Sequence, residues 1–123
     1  MTTIPPEKMR QYRATAQDRQ RLAAKRLAER LARAQMVIQQ AATLLKERYG
    51  IAHVAVFGSV AHPQRFHDRS DIDLAVWGLD EHCYYRAVGE LQALSPEFGI
   101  DLVRGEDAED TLRQTIEQES VPL

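Results

Sequence analysis

Cysteine is nearly absent. Cys83 is the single one among 123 residues, so no internal disulfide can form and a reducing cytoplasm is the expected setting. Long hydrophobic runs are missing as well: no stretch approaches the roughly 20 apolar residues of a membrane span. The opening Met1-Thr-Thr-Ile-Pro-Pro6 lacks the basic-then-apolar pattern of a leader and reads as extended or irregular. Glycine and proline are scarce, and neither occurs between Glu7 and Tyr49, which excludes turns from that stretch. Before Tyr49 closes that stretch, Tyr12 is the one aromatic among its basic residues, too little for an interleaved stacking face, which speaks against a nucleic-acid partner.

What fills residues 7–49 is Ala, Arg, Gln, Leu and Glu, the strong helix formers. Leu27, Leu31, Ala34, Ile38, Ala41 and Leu45 recur every three or four residues and make one apolar helical stripe, with Gly50 placed to cap it. Residues 7–21 carry little apolar material. The reading is therefore a polar, basic helical extension over 1–21 and one folded domain over 22–123. Charge is split along the chain. Residues 1–50 hold eleven Lys/Arg against four Asp/Glu, and residues 51–123 hold five against fourteen. Such a long basic helix is expected to meet a partner: another protein, a second copy of the chain or, less in keeping with its composition, nucleic acid.

The second half is organised around Val54-Ala-Val-Phe-Gly-Ser59 and Ser70-Asp-Ile-Asp-Leu-Ala-Val76. Each reads as a strand, over 51–57 and 70–77, joined by the Gly-Ser turn and a polar loop. Carboxylates at i and i+2 of a strand share a face, so Asp71 and Asp73 would crowd like charges unless a cation lies between them. Their oxygen-only chemistry suits magnesium, which also takes substrate phosphates as ligands. Asp101, in Phe98-Gly-Ile-Asp-Leu-Val103, has the same phase and would join them if its strand pairs alongside. Gly58 lets a phosphate approach the backbone, and Ser59 adds a hydroxyl donor at a turn suited to anions. The lysine and second glycine of a Walker A loop are absent. His62 and His67 lack the spacing of a closed metal site, and Cys83 has no activating neighbour. Helices are expected over 81–94 and from the acidic run 106–110 onward, with a short edge strand at 121–123.

Gly58-Ser59, Asp71-Ile-Asp73 and the later Ile100-Asp101-Leu102 together resemble the minimal nucleotidyltransferases (MNT) of the DNA polymerase β-like nucleotidyltransferase superfamily, a group that includes MntA-type antitoxins. The similarity runs over roughly residues 40–119. It implies an α/β fold of the α+β kind: a small mixed sheet with helices on one face, here preceded by the long helix. It also implies two Mg2+ ions held by Asp71, Asp73 and Asp101 as the catalytic carboxylates. ATP would be the substrate, with its phosphates near Gly58 and Ser59. The family's frequent Ala-Arg-Gly after the Gly-Ser is Ala61-His62-Pro63 here, so Arg65, Arg69 or His62 would have to meet the triphosphate. Relatives of this kind often transfer AMP to a tyrosine of a HEPN-type toxin, which makes such a toxin the expected partner. A small-molecule hydroxyl acceptor, or a non-catalytic module that binds nucleotide and neutralises a toxin by contact, are the other readings. A glycosyltransferase reading of Asp71-x-Asp73 gives Gly58-Ser59 and Asp101 no role.

Overall fold

The computed structural model describes residues 3–123, so the expectation for Met1 and Thr2 lies outside the described residues. Helix α1 runs unbroken over Pro6–Tyr49, about 66 Å at 1.5 Å per residue. Pro6 sits at its first position, where a missing N–H costs nothing. Gly50, at φ 66°, ends it in the left-handed conformation and donates its N–H to the Leu45 carbonyl. The helix crosses residue 21 without a break. Residues 6–26 are exposed, and burial begins at Leu27. From there the apolar stripe reaches the core at Ala34, Val37, Ile38, Ala41 and Leu45.

Four strands follow: β1 (His53–Phe57), β2 (Ile72–Trp77), β3 (Ile100–Arg104) and β4 (Val121–Pro122). Their order is β3-β2-β1-β4. β1 runs antiparallel to both neighbours, and β2 and β3 are parallel. A parallel pair needs a crossover, supplied by a single turn of 3-10 helix (Glu81–Cys83) leading into α2 (Tyr84–Gln92). Helix α3 (Asp110–Glu119) precedes β4. The mixed sheet preceded by a long helix is the expected architecture, and α1 and α2 cover one face through Val56, Leu74, Leu91 and Ile100.

Helix α3 departs from the expectation of helices on one face only: it lies on the opposite face, where Ile116 and Leu112 meet Phe57, Ala75 and Val103. That face also carries apolar side chains, so half of it needs cover, which is why β1 and β2 read as nearly continuous hydrophobic runs rather than as alternating ones. The other half of this face carries Asp73 and Asp101. Among the described residues, no helix is long and apolar enough to cross a membrane.

Candidate active site

Strand pairing brings the carboxylates together. In the β2–β3 register Asp73 stands directly beside Asp101, and in the β1–β2 register it faces Phe57, the residue before Gly58. Adjacent strands lie about 4.8 Å apart, so two carboxylates at matched positions are forced into each other's field. Asp71 lies one residue before β2 begins rather than inside it. It is held instead by the neighbouring chain: the Gly99 N–H donates to Asp71 Oδ1 at 3.2 Å, and the Ile72 N–H donates to the Gly99 carbonyl at 3.0 Å. A Cβ on Gly99 would come within 3.2 Å of the Asp71 carboxyl, so the absence of a side chain there lets the two strands close on it. The sequence reading passed over Gly99. The signal was a glycine interrupting an apolar strand, a mark of close approach.

Asp73 bears the cost of this crowding. Its pKa is pushed up to about 6, first by burial, then by the charge of Asp101 and a hydrogen bond to it, then by the charge of Asp71. Asp71 and Asp101 are exposed, and Asp73 is half-buried. Gly58 borders the same carboxylate at φ 75°, and a Cβ there would overlap Asp73 Oδ2. The glycine that ends β1 is thus fixed both by its backbone conformation and by the aspartate beside it.

Ser59 opens a single 3-10 turn, and its Oγ donates to Ser70 Oγ at 2.8 Å. Ser70 is buried, and its Oγ also accepts the His67 N–H at 2.9 Å. The expected phosphate donor is therefore tied to the residue that precedes Asp71. The two candidate loop cations separate. Arg65 pairs with Glu119 at 3.1 Å, beside His62, whose Nε2 lies 3.2 Å from the Glu119 carbonyl. Arg69 is exposed, and its guanidinium is in none of the ion pairs among the described residues. Trp77 packs against Gly105 and the α3 side of the sheet.

The donor set of this row is oxygen only, and its like charges are uncompensated, which fits a hard divalent cation. Among the described residues, no three His, Cys, Asp or Glu side chains converge closely enough to form a metal cage alone. The row is open, so an ion held here would draw further ligands from a bound phosphate chain or water. His62, His67 and Asp68 make no metal cluster either.

The family model described as Polymerase beta, Nucleotidyltransferase matches residues 39–123. No curated protein matches the chain. Among solved structures, one assigned as a minimal nucleotidyltransferase is 31% identical, with a TM-score of 0.53, covering 79% of this chain and 95% of that one. The tri-AMPylated Shewanella oneidensis HEPN toxin in complex with its MNT antitoxin matches at 22% identity and a TM-score of 0.56, covering 72% of this chain and 70% of that one. A toxin–antitoxin structure with AMP-PNP matches at 23% identity and a TM-score of 0.56, over 68% and 69% of the two chains. The last two share the fold. The family match extends from the last turns of α1 through all four strands and so includes the whole carboxylate row; the chain belongs to the polymerase beta nucleotidyltransferase family.

Proposed function

We propose that this protein transfers AMP from ATP to a hydroxyl of a protein acceptor, a tyrosine of a HEPN-type toxin, and acts as that toxin's antitoxin in the cytoplasm. The observation that carries the reading is Asp73 lying beside Asp101 and against Gly58, at the end of the sheet face that α3 leaves open. The matched structures of an AMPylated HEPN toxin and of an AMP-PNP complex support the acceptor and the nucleotide.

In this reading Asp71 and Asp73 hold the metal and triphosphate side, and Asp101, on the outer strand, orients the acceptor. Two magnesium ions, when bound, would supply charge neutralisation along the triphosphate and acidify the acceptor hydroxyl. The acceptor oxygen forms a bond to the α-phosphorus as the bond to the β-phosphate oxygen breaks. Pyrophosphate leaves, and the hydroxyl proton passes to solvent. The chain's own contribution is position and field rather than covalent chemistry. Gly58 makes room for the Asp73 carboxylate at the end of β1 and would leave the turn's amides to the phosphates, and Ser59 fixes the turn through Ser70. Arg69 would meet the triphosphate without giving up an ion pair, whereas Arg65 would have to leave Glu119. The exposed, basic first half of α1 is the arm that would grip the partner.

Intact-protein mass spectrometry tests this. The chain is incubated with ATP, Mg2+ and the protein encoded beside it, with Asp73→Asn in parallel. The expected result is a gain of one or more AMP units on the partner that is missing with the variant. Nucleotide binding with no mass gain would overturn the transferase reading in favour of neutralisation by contact.

A further inference from the structure

One side chain of α1 reaches the segment that carries the first aspartate. Arg30 Nη2 donates to the Ser70 carbonyl at 3.1 Å, and its Nη1 reaches Glu97 Oε2 at 3.4 Å. Its guanidinium lies 4.4 Å above the Phe98 ring centroid. Arg33 grips the same Glu97 through Nε and Nη2, both at 2.8 Å. The Ser70 carbonyl belongs to the peptide that leads into Asp71. Glu97 and Phe98 lead into Gly99, whose N–H holds the Asp71 carboxylate. The two segments that orient Asp71, residues 70–72 and 97–99, are therefore both pinned by a single guanidinium. Through Ser70 the same contact reaches Ser59.

Stability alone does not account for an arginine here. Arg30 Nε is the buried side-chain nitrogen or oxygen without a hydrogen-bond partner among the described residues. A donor left so is costly, and an apolar side chain of similar length would fill the space without that penalty. A planar fork that can stack on Phe98 while donating in two directions is what arginine alone supplies. Arg30 also lies outside residues 39–123, so this support for the site comes from the helix that precedes the family-matched segment.

We propose that Arg30 is a positioning residue for nucleotidyl transfer, setting the Asp71 carboxylate and the Ser59–Ser70 pair through the Ser70 carbonyl, Phe98 and Glu97. Its catalytic meaning rests on the transferase reading above, whereas its effect on the carboxylate does not. The test compares full-length wild type with Arg30→Lys, which keeps the charge and loses the fork, and with Arg33→Ala as a control that spares Ser70. Glu97→Gln weakens the ion pairs to Arg30 and Arg33 while keeping the half-buried guanidinium itself, and so serves if Arg30→Lys does not fold. Three readouts are taken: kcat and KM for ATP, Mn2+ affinity by electron paramagnetic resonance, and hydrogen exchange at the Gly99 amide. For Arg30→Lys the expectation is a loss of about tenfold or more in kcat and in Mn2+ affinity, as for other residues that orient metal-binding carboxylates. Gly99 exchange should quicken, KM for ATP should change little, and Glu97→Gln should move in the same direction by less. Wild-type Mn2+ affinity and Gly99 exchange in Arg30→Lys, or in Glu97→Gln where the lysine variant does not fold, would overturn the proposal. These two readouts stand even if the wild type transfers nothing, so failure of the transferase reading and failure of this one are distinguishable.

Discussion

Asp73 is held in an environment that disfavours its own charge. Burial and two neighbouring carboxylates raise its pKa to about 6, so its ionised form is held at a cost. Asp73→Asn removes the charge at nearly constant volume. Transfer should fall below detection while the thermal midpoint at neutral pH stays the same or rises, which differential scanning calorimetry and the mass assay would read together. The pH dependence follows with a definite sign. A carboxyl whose folded-state pKa lies above its ordinary 3.8 contributes stability that is fully present below that value and lost as pH rises through about 6. The metal-free protein should therefore lose this contribution between pH 4 and 7, and Asp73→Asn should flatten that part of the curve. In the proposed reading protons would compete with Mg2+ for the same oxygens, so apparent Mg2+ affinity should drop as pH falls below about 6. Gly58→Ala places a Cβ against Asp73 at a positive φ. We expect a stability cost of about 1–3 kcal/mol and a loss of transfer larger than that cost explains, seen as a lowered kcat in protein that remains folded.

At the scale of elements, α1 is one helix with two lives. Its second half packs on the sheet through Val37, Ile38, Ala41 and Leu45, while residues 6–26 touch nothing that buries them. Deleting residues 1–20 should leave the thermal midpoint within a few degrees of wild type and weaken binding to the partner, measured by titration calorimetry. Unfolding of the truncated chain would show that the arm carries more of the fold than its exposure allows. The outer edge of β3 is finished by α2: Tyr84 Oη donates to the Leu102 carbonyl and Gln92 Nε2 to the Ile100 carbonyl, each at 2.6 Å. Those satisfied groups leave the edge poorly placed to pair with another strand. The stripe in α1 was legible because a period of 3.6 over many residues has few competing explanations. The placement of α3 was not. Leu112 and Ile116 announce an amphipathic helix, but nothing local says which side of a sheet with two apolar faces it will cover.

For the whole molecule the division of charge is the organising fact. A basic arm of α1 precedes a second half in which residues 51–123 hold fourteen Asp/Glu against five Lys/Arg, an excess well beyond the three carboxylates of the site. Self-repulsion within the acidic domain and within the arm favours contacts with partners of opposite sign, and such contacts are screened by salt. Association of the arm with the proposed partner should therefore weaken as NaCl is raised, chiefly through a slower on-rate in stopped-flow measurements. A partner contact indifferent to salt would place the interface on the apolar surface instead.

Local pattern alone determined the three strands, the shared phase of Asp73 and Asp101 on two of them, the Gly-Ser turn and the long helix, because side-chain periodicity and turn chemistry act between near neighbours in the chain. Only the tertiary structure decided which groups those residues meet. It set Asp73 beside Asp101, put the Gly99 amide on Asp71, took Arg65 to Glu119 and brought Arg30 across forty residues of sequence to the Ser70 carbonyl. Strand order and register fix such partnerships, and both are settled by how the two faces of the sheet are buried, which depends on side chains far apart in the chain.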